Sequence, residues 1–144
     1  MEEEKNWTGN ITLSVTLEVT EENIDDIMVT AIEGGIGYWC SECNKIGDLT
    51  YGDPEKAPLA SVHLARGGKL ELFVSEPFEE YKNGKDKERY VLTREKLLKG
   101  IRRVIEARGV DSFYFNGEMD CCNVDAEVAD IMVQYALFGD IIYG

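Results

Sequence analysis

Residues 34–43 read Gly-Gly-Ile-Gly-Tyr-Trp-Cys-Ser-Glu-Cys, and the remainder of the chain can be interpreted outward from this stretch. Its two leading glycines predict the end of a helix in a left-handed conformation. Tyr38 and Trp39 predict packing in the core, and Cys40 and Cys43 form a Cys-x-x-Cys pair. We therefore expect the stretch to join a helix to two closely spaced thiols.

The other two cysteines are adjacent and distant in the chain. Two separate thiol clusters are typical of a zinc site built from two segments, because Zn²⁺ binds thiolates tetrahedrally. Neighbouring cysteines point in different directions, so His63 or Asp120 is a substitute for one of them. We predict a structural zinc site, with burial in the core and redox chemistry as alternatives. The predicted ligands are Cys40, Cys43, Cys121 and Cys122.

The charge of the chain is strongly negative, with 28 acidic and 15 basic residues and a net charge of -13. Such a charge disfavours direct nucleic-acid binding and favours partner proteins with basic surfaces. Solubility alone is the alternative explanation. The candidate partner contacts are acidic residues of the first predicted helix and of one later segment, namely Glu21, Glu22, Asp25, Asp26, Glu33, Glu79 and Glu80.

The length and hydropathy of the chain predict one soluble domain. No apolar run approaches the roughly 20 residues of a membrane helix, and the acidic first residues do not resemble a signal peptide. We expect a cytoplasmic protein without a membrane partner, in which thiols stay reduced. Residues 1–9 are predicted to be a disordered tail and residues 10–144 a single domain.

Strand signals come from three regions. Apolar residues occupy every second position from Ile11 to Val19, which predicts the clearest strand of the protein. A hairpin is predicted around Gly67-Gly68, between residues 60–65 and 69–74. A second hairpin is predicted between residues 78–81 and 89–92.

Three helices are predicted from capping residues and apolar periodicity. Thr20 precedes the first, Thr93 and Gly109 bound the second, and Asp125 and Gly139 bound the third. The third helix is apolar on more than one face, so we expect it to be the most buried, followed by a short strand at residues 141–143. The predicted class is α+β, an antiparallel sheet of about 4–6 strands with about three helices.

Catalytic motifs are scarce in this sequence. The glycines at 34–37 follow a helix and do not open one, so they do not form a phosphate-binding loop. A zinc deaminase requires His-x-Glu and Pro-Cys-x-x-Cys motifs, and the chain has neither. We predict a protein that is not an enzyme.

Several stretches together resemble a family of small proteins from phages and prophages of Gram-positive bacteria. The resemblance covers most of the chain from the first predicted helix onward. Cys43 departs from the family pattern, in which Cys40 stands alone, so a metal site would be particular to this chain. The stretches are Asn23–Gly35, Tyr38–Cys40, Arg66–Gly68, Leu92-Thr93, Lys96–Ile101, Asp125-Ala126, Ala129-Asp130 and Val133–Gly139.

The resemblance implies a phage-encoded anti-CRISPR, because some small acidic phage proteins of this kind inhibit type II-A Cas9. Binding to Cas9 would then block DNA loading or cleavage. One alternative is a sponge for a nucleotide immune signal, with a pocket formed by Arg102, Arg103 and Arg108 together with Tyr114. A structural or regulatory phage protein is the other alternative.

Overall fold

The computed structural model describes residues 6–47, 59–76 and 88–144. These residues form a single α+β domain with four α-helices and five strands, so the predicted fold class is confirmed. The helices are α1 (Glu21–Thr30), α2 (Ala60–Ala65), α3 (Arg94–Arg108) and α4 (Ala126–Phe138). The strands are β1 (Cys40–Ile46), β2 (Lys69–Val74), β3 (Arg89–Leu92), β4 (Tyr114–Phe115) and β5 (Glu118–Met119).

The strands belong to two small antiparallel sheets. Strands β1, β2 and β3 lie in that order, with Cys43 opposite Leu72 and Leu72 opposite Tyr90. Strands β4 and β5 form a separate hairpin. Its turn residues Asn116 and Gly117 have positive φ values of 52° and 85°, the conformation for which Asn-Gly is suited.

Helix α4 packs against α1, α3 and β3 and has the largest set of buried residues, as predicted for the third helix. Gly100 permits the close approach of α3, because a Cβ at this position would overlap the carbonyl oxygen of Met132. Of the two aromatic residues predicted to pack in the core, Trp39 is buried and stacks on Tyr143, whereas the prediction is wrong for Tyr38, which is 57% exposed. The largest fully buried side chains are Trp39, Phe113, Ile24, Ile27, Met28, Leu64, Leu70, Leu72, Leu92, Leu97, Ile101 and Met132.

The predicted helix starts are confirmed, and one predicted helix end is wrong in its conformation. Thr20, Thr93 and Asp125 each accept a hydrogen bond from a backbone N–H in the first turn. The first helix instead ends in a π-helical turn, Ala31–Gly35, and neither glycine of that turn has a positive φ. Gly35 serves close packing, because a Cβ there would lie 2.7 Å from the carbonyl oxygen of Ala126.

The predicted strand at residues 11–19 is wrong. These residues are all described and form no strand, and within them Glu18 makes an isolated parallel bridge to Glu118. A parallel neighbour for the residues before Glu18 would have to be the residues before Glu118. Those residues form the turn of the β4–β5 hairpin, so the available strand ends there. The alternation of apolar and polar residues favours a strand, but it does not provide a neighbouring strand to pair with.

The predicted hairpin around Gly67-Gly68 is also wrong, because residues 60–65 form α2. Buried Leu64 and Ala65 suit a helix that packs against α1. Of the second predicted hairpin, residues 89–92 form β3 and pair with β2, whereas residues 78–81 lie outside the described residues. Residues 141–143 form no strand, because the N–H groups of Ile142 and Tyr143 donate to the Gln134 side chain.

Candidate acidic binding groove

An open groove of about 760 Å³ lies between the start of α1 and the chain that follows the β4–β5 hairpin. We call it the acidic groove, because five of its lining residues are carboxylic acids. The lining residues are Thr20, Glu21, Glu22, Asn23, Asp26, Val29, Thr30, Glu118, Met119, Asp120, Cys121 and Cys122.

Asn23 fixes one wall of the acidic groove to the other. Its backbone N–H donates to Thr20 Oγ1 at 3.1 Å, and its Oδ1 accepts from the Thr20 N–H at 2.9 Å, which forms a reciprocal capping box. Its Nδ2 donates to the Met119 carbonyl at 3.2 Å, while Cys121 Sγ donates to the Asn23 carbonyl at 3.8 Å. The same residue therefore caps α1 and anchors the opposite segment.

The acids come from both walls of the acidic groove. Glu21, Glu22 and Asp26 lie on α1, and Glu118 and Asp120 lie on the opposite segment. Asp120 accepts a hydrogen bond from the Cys122 N–H at 2.9 Å, and hydrogen bonds from Cys122 hold its pKa below the ordinary value. No lysine or arginine of the described residues forms an ion pair with these five acids.

The two thiols of the groove are weak acids. Burial, followed by the charge of Asp26, raises the pKa of Cys121 to about 11. A hydrogen bond with Asp120 is the main cause that raises the pKa of Cys122. Because the thiolate is the reactive and metal-binding form of cysteine, neither thiol is activated at neutral pH.

The predicted zinc ligands lie in two separate places. Cys40 and Cys43 lie on β1, whereas Cys121 and Cys122 follow β5 and adjoin α1. Burial raises the pKa of the Cys40 thiol, and burial together with the Cys40 charge raises that of Cys43 to about 12. Buried His63 has Nε2 2.8 Å from the Ile46 carbonyl oxygen.

These residues do not fit a zinc ion as they are arranged. Throughout residues 6–47, 59–76 and 88–144, no group of three or more His, Cys, Asp and Glu side chains is placed to hold a metal. Asp120 is near Cys122 but not part of such a group. Zinc therefore stays a prediction from the sequence that this geometry does not support.

The seven predicted partner contacts are only partly brought together. Glu21, Glu22 and Asp26 line the acidic groove. Asp25 immediately precedes Asp26 in the sequence and is half-buried. Its Oδ1 has no hydrogen-bond partner among the described residues. Glu33 is exposed on the π-helical turn, away from the groove lining, and Glu79 and Glu80 lie outside the described residues.

Sequence reasoning missed Glu118 as a groove residue and assigned Asp120 to a metal site. The signal that could have located both is Asn116-Gly117, the preferred dipeptide of a tight hairpin. Such a hairpin returns the chain after Gly117 toward its earlier path. The contact with α1 is tertiary, however, and no local pattern specifies it.

The residues of the alternative nucleotide pocket have other contacts. Arg102 pairs with Glu106 at 2.6 Å, and Arg103 lies over the Tyr135 ring with its guanidinium carbon 4.8 Å from the centroid. Arg102 lines a different groove, together with Glu106 and several apolar residues. Tyr114 is not one of the described residues that line it. The structure does not assemble the predicted pocket.

Comparison of the chain with protein-family models, curated proteins and solved structures found no match. Within the described part of the chain, no helix is long and apolar enough to cross a membrane.

Proposed function

We propose that this protein is a non-catalytic binding protein whose acidic groove receives a cationic surface of a partner protein. The observation that carries the proposal is the convergence of five acids from two segments on one groove, with no described cation to pair them. Like charges held close together repel, and a cationic partner relieves that repulsion. The groove is open, so it suits a projecting basic loop or helix.

The partner that we propose is type II-A Cas9, following the family resemblance. Cas9 holds its guide and target in positively charged channels, which offer surfaces of the required sign. A phage-encoded protein with a net charge of -13 would be steered toward such a channel in the host cytoplasm. Occupying it would exclude DNA or prevent cleavage.

The chemistry of the groove supports binding in preference to catalysis. Cysteine is the strongest nucleophile of the lining, and both groove thiols have raised pKa values. Hydrogen bonds from Cys122 lower the pKa of Asp120, which suits a fixed negative charge and not a proton donor at neutral pH.

The first experiment titrates the purified protein into Cas9 loaded with guide RNA and measures cleavage of a matched DNA. We expect loss of cleavage near stoichiometric amounts, and loss of inhibition as salt is raised. Full cleavage at large excess of the protein in low salt would eliminate Cas9 as the partner.

The groove is tested with a charge-reversal pair, Glu22→Lys with Asp26→Lys. Both side chains are exposed and line the acidic groove. The matched control is Glu127→Lys with Asp111→Lys, which makes the same change in net charge at exposed positions outside the groove lining. Equal loss of inhibition in the two double variants would show that net charge acts without the groove.

An oligo-arginine peptide separates the groove from its proposed partner. We expect the peptide to bind wild-type protein and the control variant, and to bind the groove variant much more weakly. If the peptide binds in a way that depends on the groove and Cas9 is not inhibited, a cationic ligand is supported and Cas9 is excluded as the partner. Absence of peptide binding at low salt would reject the cationic ligand class itself.

A further inference from the structure

Residues 6–17 form an uncharged stretch in a chain that is otherwise rich in charge. They include the alternating residues Ile11, Leu13 and Val15, whose exposed fractions are 86%, 79% and 54%. Three consecutive apolar residues of a strand-like pattern are therefore left in solvent. Isolated exposed apolar residues are common, but an alternating row is a typical interaction surface.

Among residues 6–47, 59–76 and 88–144, no strand is available to pair with this row. Glu18 forms a parallel bridge to Glu118, with the Glu18 N–H donating to the Gly117 carbonyl and the Met119 N–H to the Glu18 carbonyl, both at 2.9 Å. Toward lower residue numbers the neighbouring chain is already the Asn116-Gly117 turn. Residues 11–17, which we call the overhang, consequently extend past the end of the β4–β5 hairpin.

The backbone of this overhang is also free to pair. Residues 8–17 make no backbone hydrogen bond to another described residue. A groove of about 760 Å³ separates residues 13–17 from Ile101 and Ile105 of α3, so the overhang lies beside that helix without closing on it. A segment whose backbone donors and acceptors are unpaired can accept an added strand from another chain.

We propose that two copies of this protein dimerise by antiparallel pairing of residues 11–15 across a two-fold axis. This goes beyond the acidic groove and does not depend on it. An isologous contact requires a self-complementary surface, and an alternating uncharged strand satisfies that requirement.

The alternation fits antiparallel self-pairing. With the axis at Leu13, that residue faces its own copy, and Ile11 of each chain faces Val15 of the other. Thr12 then faces Ser14 on the opposite side of the strand pair. Residues directly opposite in an antiparallel pair project to the same face, so apolar residues meet apolar residues and hydroxyls meet hydroxyls. The pairing also satisfies the free backbone groups.

The absence of charged residues in residues 6–17 permits a second copy to approach at this segment. Two chains of net charge -13 repel wherever their acids meet, and residues 6–17 are a stretch in which they can approach without opposing charges. A strongly basic partner would gain nothing from this uncharged segment. A second copy gains the full row of apolar and backbone contacts.

The test is sedimentation of the purified wild-type chain over a range of micromolar concentrations, compared with Leu13→Asp. We expect wild-type dimers and a Leu13→Asp monomer, because the variant removes two buried leucines and places two like charges opposite each other. The dissociation constant should rise by about a hundredfold or more. Leu59→Asp is the matched control, since Leu59 is 74% exposed and outside the overhang, and it should leave the dimer intact.

A rescue experiment distinguishes two-fold pairing from general loss of apolar surface. Leu13→Lys alone should also be monomeric, whereas an equimolar mixture of Leu13→Asp and Leu13→Lys should form mixed dimers. Circular dichroism of each variant would establish that it is folded. A monomeric wild-type chain at all concentrations, or a dimer unaffected by Leu13→Asp, would overturn the proposal. If the Leu13→Asp and Leu13→Lys variants are both folded and do not associate with each other, the two-fold register is wrong.

Discussion

Trp39 Nε1 donates a 2.7 Å hydrogen bond to Asp130 Oδ1, which joins the start of β1 to the centre of α4 across 91 positions of sequence. The same carboxylate accepts from Tyr38 Oη at 2.5 Å and from Gln134 Nε2 at 2.9 Å. Gln134 in turn accepts from the backbone N–H of Tyr143. A buried acid is thus fully hydrogen-bonded and holds three segments together.

Asp130→Ala should therefore destabilise the protein severely. It leaves the buried Trp39 N–H without its acceptor and removes the charge-assisted bonds of Tyr38 and Gln134. We expect the free energy of unfolding to fall by about 2 to 4 kcal/mol, measured by chemical denaturation. Glu127→Ala, an exposed change in the same helix, should cost less than about 1 kcal/mol. Similar losses for the two variants would contradict this role.

Gly100→Ala should loosen the contact between α3 and α4. The added Cβ would overlap the Met132 carbonyl oxygen, which is backbone and cannot rotate away. We expect a loss of about 1 to 3 kcal/mol in unfolding free energy, despite the better helix propensity of alanine. Gly37→Ala is the control, because a Cβ there meets no heavy atom within 4 Å and its φ is not positive. An unchanged midpoint for Gly100→Ala would contradict the tight helix contact.

Local chemistry explains which parts of this fold could be predicted. Thr20, Thr93 and Asp125 were identified because a cap depends on neighbours in sequence. The strand at 11–19 was mispredicted because pairing depends on a distant hairpin, and its turn at 116–117 removes the partner. Residues 60–65 are too short for periodicity to separate strand from helix. For the acidic groove, the α1 acids were predictable, but the convergence of Glu118 and Asp120 was not.

Alkaline pH should destabilise the protein through several raised pKa values. Burial raises the pKa of Cys121 from 9.0 to about 11 and that of Cys43 to about 12. Burial and the hydrogen bond to Asp130 raise the pKa of Tyr38 from 10.0 to about 12. Each group stays protonated to a higher pH in the folded state than in the unfolded state. Its stabilising contribution is therefore complete below the pKa of the unfolded state and is lost as pH rises through the pKa of the folded state.

We therefore expect unfolding free energy to decline between pH 9 and pH 12, with the Cys43 and Cys121 contributions entering first. Chemical denaturation at a series of pH values measures this dependence. A Cys43→Ala, Cys121→Ala variant should show a shallower decline, because it lacks these two contributions while those of Cys40, Cys122 and Tyr38 remain. An identical pH profile for the variant and the wild-type chain would contradict the assignment.

Removal of metal should have no effect on stability, because no group of three or more His, Cys, Asp and Glu side chains among the described residues is placed to hold an ion. The four cysteines lie in two places, and their pKa values are raised. We expect the unfolding temperature to be unchanged by dialysis against a chelator. Elemental analysis of protein purified without added metal is the direct check. Near-stoichiometric zinc that disappears in a Cys40→Ser, Cys43→Ser variant would support the sequence-based zinc hypothesis and contradict this expectation.

Asn23→Ala should weaken both the fold and the acidic groove without changing the charge of the protein. The variant loses the side-chain half of the capping box, in which Oδ1 accepts from the Thr20 N–H. It also loses the 3.2 Å bond to the Met119 carbonyl, which connects the two walls. We expect a stability loss of about 1 to 2 kcal/mol and weaker binding of the oligo-arginine peptide. Glu22→Lys should weaken peptide binding alone. Asn123→Ala, which removes an exposed 2.8 Å bond to the Ser112 carbonyl, controls for loss of an asparagine elsewhere. If Asn23→Ala lowers stability and leaves peptide affinity intact, the acids bind without needing the two walls held together.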